Sequence, residues 1–149
     1  MSETWTIEQF RAMQPKPKRR NRHAESEIQQ QIVAWFRAQY PTKRRLLFAI
    51  INGAVLSGDK TQRARQWARL EREGANPGTA DLFLSVPSGD YAGLYIETKT
   101  RDGRQSADQK AFEAAATAAG YGYAIPRSLE DGQRIVKSYF ETGNFCPDC

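Results

Sequence analysis

Apolar residues recur along the chain at two spacings, one helical and one strand-like. From Ala24 to Tyr40, the residues Ile28, Ile32, Trp35 and Phe36 fall at helical intervals, with Ser26 a possible cap and Pro41 closing the run. This predicts an amphipathic helix. Leu46 to Ile51 is a short apolar run closed by Asn52-Gly53 and predicts a buried strand. Asp59 to Glu73 has strong helix formers and a thin stripe of Ala64, Trp67 and Leu70, as expected of a surface helix. After a break at Gly74 to Gly78, two strand-like runs, Asp81 to Val86 and Tyr91 to Thr98, are joined by Pro87-Ser88-Gly89-Asp90 and predict a hairpin. Ser106 to Ala119 carries a capping signal and stops at Gly120, Tyr121 to Ile125 reads as a last strand, and Leu129, Ile135, Val136 and Phe140 set a final helix between Ser128 and Glu141. The order α, β, α, β, β, α, β, α predicts an α/β sandwich with a mixed sheet.

The 149 residues suit one domain, and a hydrophobic share of 40% with 26% charged residues is too apolar for a disordered chain. No run approaches the ~20 apolar residues that span a bilayer, and no apolar signal core opens the chain, so a cytoplasmic protein with no membrane contact is expected. Lysine and arginine exceed acidic residues by 22 to 17, which makes polyanions plausible partners. Part of that excess lies in Pro15 to His23, PKPKRRNRH, which reads as an extended basic arm: either a solvated tail or a strap along a phosphate backbone. The expected organisation is an arm over residues 1–23, a domain over 24–141 and a tail over 142–149. The tail ends in Cys146-Pro147-Asp148-Cys149, where a zinc site would need two more ligands, so no function is assigned to it.

Glu97 and Lys99 are two apart in a predicted strand, so their side chains leave the same face about 6.6 Å apart. Asp81 opens the partner strand and can reach the same volume. Crowded carboxylates repel one another unless a hard cation such as Mg²⁺ or Mn²⁺ joins them. Such an ion, with Lys99 beside it, suits phosphodiester hydrolysis without a covalent intermediate. Spacing alone favours the plainer reading, in which Glu97 and Lys99 form an exposed strand-face ion pair and Asp81 is a turn residue.

The surrounding residues are more specific. Gly78-Thr79-Ala80-Asp81-Leu82-Phe83-Leu84, Tyr95-Ile96-Glu97-Thr98-Lys99 and Gly103-Arg104-Gln105-Ser106-Ala107-Asp108-Gln109 together resemble the PD-(D/E)XK nuclease pattern, and in particular the virus-type replication-repair (VRR-NUC) family. The resemblance runs from about Glu27 to Tyr139, departing from the pattern at Ala80, where the family usually has proline. It implies a restriction-endonuclease-like core, a mixed sheet flanked by helices, in which Asp81 and Glu97 bind Mg²⁺ or Mn²⁺ and Lys99 is the catalytic lysine. By the same matching Glu27, as a further metal ligand on the first helix with Glu25 close by, and Gln109 on the later helix complete the site. It also implies an endodeoxyribonuclease acting on branched DNA such as Holliday junctions or flaps, a homodimer, and a bacterial or phage replication and repair setting.

Lys60, Arg63, Arg65, Arg69 and Arg72 on the surface helix, with Lys16, Lys18, Arg19 and Arg20 of the arm, are candidates to pair with DNA phosphates without reading sequence. The alternatives are a DNA-binding module without catalysis, against which the intact Asp81, Glu97 and Lys99 argue, and a sequence-specific restriction enzyme, for which the chain offers no obvious recognition segment.

Overall fold

The computed structural model describes residues 19–51 and 56–143. Lys16 and Lys18 of the basic arm, the Asn52-Gly53 turn and Cys146 and Cys149 lie outside them. The elements run α1 (Arg19–Gln39), a short 3-10 turn (Pro41–Lys43), β1 (Leu47–Ala49), α2 (Lys60–Arg72), β2 (Leu82–Leu84), β3 (Leu94–Ile96), α3 (Ala107–Ala118), β4 (Gly122–Ala124) and α4 (Leu129–Thr142). This is the expected order.

The sheet is mixed, in the order β1-β2-β3-β4. β1 and β3 each run antiparallel to β2, while β4 runs parallel to β3. The parallel step requires a crossover, which α3 supplies while packing on β4. One face of the sheet presents Leu47, Leu82, Leu84, Leu94, Ile96 and Ala124 to Ile32 and Phe36 of α1 and Ile135, Val136 and Tyr139 of α4, all buried in one core. The other face carries a row of rings. Phe48 meets Phe83 edge-on at 5.8 Å, Phe83 packs on Tyr95 at 4.6 Å, and Tyr95 meets Phe112 of α3 at 5.0 Å. The period-2 alternation along each strand thus sends aliphatics one way and aromatics the other.

Helix starts follow local chemistry. Asp59 and Ser106 each form a capping box, with Gln62 and Gln109 returning the bond, and Ser128 caps α4, which Gly143 closes at φ 61°.

Three sequence expectations are corrected. α1 begins at Arg19, so Arg19 to His23 belong to a helix and the extended arm cannot reach residue 23; Ser26 lies inside that helix, where it accepts a bond from Gln30 and caps nothing. Arg19-Arg20 carry on into an unbroken helical run once the prolines are passed. The strand at Leu46 to Ile51 is an edge strand. Only Leu47 is buried in it, while Leu46 and Phe48 are exposed at 39% and 45%, because no helix among the described residues covers its second face. β3 stops at Ile96, so Glu97 and Lys99 lie just beyond it, although their amides still donate to Ala124 and Pro126 and continue the pairing.

Gly132 shows how tightly α4 sits on α1. A Cβ placed there would stand 2.6 Å from both Cγ1 and Cδ1 of the fully buried Ile32. Alanine normally favours a helix interior by about 1 kcal/mol over glycine. Here overpacking opposes it, and Gly132→Ala should destabilise the protein by about 1–3 kcal/mol in urea denaturation; an increase in stability would contradict this packing.

Candidate active site

Four segments meet at one end of the sheet. The β2–β3 register, extended by one position past Leu82 and Ile96, sets Asp81 opposite Glu97 on the aromatic face. A buried-edge cleft of about 880 Å³ opens there, lined by Arg22, Glu25 and Gln29 of α1, Asp81, the Glu97-Thr98-Lys99 segment, and residues 102–106 leading to Gln109.

Asp81 is held rather than free. Its Oδ2 accepts bonds from the Thr98 amide at 2.8 Å and the Thr98 hydroxyl at 2.7 Å. Thr98, only 1% exposed, thus fixes one carboxylate while its neighbours present a second carboxylate and an ammonium. Alternation along the strand gives the residue between Glu97 and Lys99 no place in the site, yet its amide and hydroxyl both donate to Asp81. A hydroxyl-bearing residue between the glutamate and the lysine is the one available signal.

Glu97 is 1% exposed, and its Oε1 accepts from Lys99 Nζ at 2.8 Å and from Gln109 Nε2. The Gln109 amide has a defined orientation, since its Oε1 accepts from the Ser106 amide at 2.8 Å, which leaves Nε2 for Glu97. One glutamine therefore caps α3 and anchors a site carboxylate. Gly78, at φ 81°, makes this possible: a Cβ there would come within 2.3 Å of the Asp108 backbone, so only glycine lets the loop before Asp81 press on the start of α3.

Glu97 Oε2 has no hydrogen-bond partner among the described residues. Burial raises the Glu97 pKa from 4.5 to about 7, with the Asp81 charge adding to the rise and Lys99 opposing it. Burial also pushes the phenol of neighbouring Tyr123 up, helped by the charge on Glu97. A buried, partly neutralised carboxylate facing a second one is the donor set that a hard divalent ion joins through oxygen. Among the described residues no three Asp, Glu, His or Cys side chains are grouped to hold an ion. Two facing carboxylates are nonetheless a donor set that Mg²⁺ or Mn²⁺ accepts, since such ions are commonly bound by one or two carboxylates with water and phosphate completing the shell.

The first helix offers Glu25, not Glu27. Glu25 Oε1 stands 3.9 Å from Lys99 Nζ and lies against Gly103, whereas Glu27 is exposed and does not line the cleft. Residues two apart on a helix point about 200° apart, so only one of the pair can face the site. Glu27 as a ligand is thereby corrected. A further residue unseen in the sequence is Arg127, whose Nη1 lies 2.6, 3.1 and 2.8 Å from the carbonyls of Thr100, Arg101 and Gly103, clamping the turn that follows Lys99.

The basic candidates of α2 stand apart from this cleft. Lys60, Arg63, Arg65, Arg69 and Arg72 are all exposed on a helix with no buried residue, and Arg69 pairs with Glu73 at 2.8 Å. Arg19 and Arg20 fall in the first turn of α1. Among the described residues no helix is long and apolar enough to cross a membrane.

No protein-family model and no curated protein matches the chain. A solved structure does: a VRR_NUC domain protein superposes with a TM-score of 0.66, covering 83% of this chain and 93% of its own, at 20% identity. The chain has the VRR_NUC domain fold. That likeness agrees with the mixed sheet and flanking helices expected from the sequence, and the VRR_NUC fold here carries its converging carboxylates at the edge where β2 and β3 end.

The raised pKa has a consequence for stability. Because the folded value lies above the ordinary 4.5, the contribution from a protonated Glu97 is fully present below pH 4.5 and is lost as pH rises through about 7. In EDTA the Tm of the wild type, measured against Glu97→Gln, should therefore fall between pH 5 and pH 8. A difference that stays flat would contradict the burial of this carboxylate.

Proposed function

We propose that the chain is a VRR-NUC-type, Mg²⁺- or Mn²⁺-dependent endodeoxyribonuclease that hydrolyses phosphodiester bonds in branched DNA. The observation that carries this reading is the meeting of Asp81, Glu97 and Lys99 with Gln109 in one cleft, each held by a named partner. The VRR_NUC fold supports it.

Asp81 and Glu97 would hold the divalent ion, which when bound polarises a phosphoryl oxygen and steadies the charge on the leaving oxygen. Lys99, 8% exposed, presents its ammonium beside Glu97, where it can orient the attacking water and offset negative charge developing on the phosphate. Thr98 and Gln109 fix the two carboxylates so that little reorganisation accompanies the reaction. In the net step the water oxygen bonds to phosphorus and gives up one proton to solvent, the bond to the leaving sugar oxygen breaks, and that oxygen takes up one proton from solvent. On the cleft wall Glu25, 3.9 Å from the Lys99 ammonium, would help hold that cation in place, and Arg22 would attract the phosphate.

The exposed arginines and lysine of α2 would pair with backbone phosphates, giving salt-sensitive binding that follows structure more than sequence. Two strands of a symmetric junction need two sites, and one chain carries one; a homodimer supplies the second. The setting inferred is the cytoplasm of a bacterial or phage-infected cell during replication and repair.

Cleavage of labelled duplex, flap and four-way-junction DNA tests this directly. Mg²⁺ or Mn²⁺ should support cutting of branched substrates, and Asp81→Ala or Lys99→Ala should lower the rate by about 10²–10³-fold, the range seen when one transition-state contact is removed. Glu25→Gln should slow cleavage and Glu27→Gln should not. Tight binding by the wild type with no cutting in any metal would instead favour a DNA-binding module.

A further inference from the structure

We propose that the exposed ring of Phe48 is a stacking platform for an unpaired nucleotide of the DNA whose phosphate enters the cleft; the inference rests on the nuclease reading and deepens it.

The exposed large apolar side chains among the described residues are Leu46, Phe48 and Ile51, at 39%, 45% and 83%. Single exposed apolar residues are ordinary, but three within six residues of one edge strand mark a surface that meets something. Phe48 is also braced. Its ring meets Phe83 edge-on at 5.8 Å, and Phe83 in turn packs on Tyr95, so a residue exposed over nearly half its surface is held by a row of rings. An aromatic ring held this way loses little freedom when a flat partner settles on it.

Its position relative to the chemistry follows from the register. Phe48 pairs with Phe83, and the Ile50 amide donates to the Asp81 carbonyl at 2.8 Å, so β1 runs beside β2 as far as the site. Phe48 and Asp81 lie on the same sheet face, two residues along and one strand across. That is about 6.6 Å by 4.8 Å, or roughly 8 Å in all. Stacked nucleotides advance about 3.4 Å each along a strand, so the ring lies two to three nucleotides from the phosphate held at Asp81.

Charge selects the occupant. Arg44 and Arg45 directly precede the exposed segment, both are exposed, and among the described residues neither lies within ion-pair distance of a carboxylate. An apolar protein surface would gain nothing from two adjacent cations, whereas a polyanionic strand neutralises them and offers a base to the ring. Every base has a π-face, so such stacking tolerates sequence. In continuous duplex those faces are covered by neighbouring bases, and only a base at a branch, gap or end is free to move onto Phe48. The platform therefore favours branched over continuous DNA without reading a sequence.

The test compares full-length wild type, Phe48→Leu and Phe48→Trp, binding a flap DNA with 2-aminopurine two or three nucleotides from the branch and a continuous duplex of equal length. Ca²⁺ serves as the divalent ion, and a denaturing gel verifies that the strands stay whole. Phe48→Leu keeps an apolar side chain in the edge strand but removes the ring. It should weaken flap binding about tenfold, leave duplex binding within about twofold and abolish the change in 2-aminopurine fluorescence, and Phe48→Trp should restore all three. Equal losses on flap and duplex, or no loss, would overturn the platform. A drop in solution mass on Phe48→Leu would overturn it in favour of a second copy covering this face. Wild type that binds neither DNA would sink the nuclease reading as well, whereas binding that ignores Phe48 sinks the platform alone.

Discussion

A carboxylate taken out of water must be paired, hydrogen-bonded or neutralised, and Glu97 is subject to all three demands at once. It sits at 1% exposure with an ammonium on one oxygen, an amide on the same oxygen, and the charge of Asp81 across the strand gap. Desolvation of an ionised carboxylate costs several kcal/mol even after relaxation, more than one ion pair restores. A globular core has no use for such a residue. The fold around it meets part of that cost locally: β4 keeps its amide bonded, and the capping glutamine of α3 reaches back to its carboxylate.

The rest of the architecture serves that arrangement. The aliphatic face of the sheet needs α1 and α4 as cover, and once α1 is seated through Ile32 and Phe36 its first turns bring Glu25 to within 3.9 Å of Lys99. The parallel β3–β4 step needs a crossover, and the start of that crossover brings Gln109 to the site. The glycine before Asp81 allows the loop and the start of α3 to touch. Packing requirements that have nothing to do with chemistry thus deliver one functional group each.

Much of this was readable along the chain. The helical spacing of Ile28, Ile32 and Phe36 and the alternation through Leu82, Leu84, Leu94 and Ile96 are strong because each marks a face that must be buried. Asp81, Glu97 and Lys99 were legible for the same reason, since hairpin register converts spacing into proximity. Glu27 misled because sequence matching sees neighbours and not the rotation of a helix, which turns Glu25 inward and Glu27 out. Thr98 and Arg127 were invisible because their roles lie in individual hydrogen bonds that no period encodes, from Thr98 to Asp81 and from Arg127 to the carbonyls of the turn after Lys99. The openness of β1 was hidden as well: an apolar run looks the same whether one or both of its faces are covered.

The electrostatics at Glu97 also give the reading a direct physical test, one independent of which DNA structure is cut. Mn²⁺ binding can be followed by the loss of its free-ion paramagnetic resonance signal at pH 8, in wild type and in folded Asp81→Asn and Glu97→Gln. The wild type should bind the ion, and either substitution should weaken binding at least about tenfold, as expected when one of two protein ligands is lost. Equal binding by all three proteins would place any ion elsewhere and contradict the assignment of Asp81 and Glu97 as a metal-dependent hydrolytic centre.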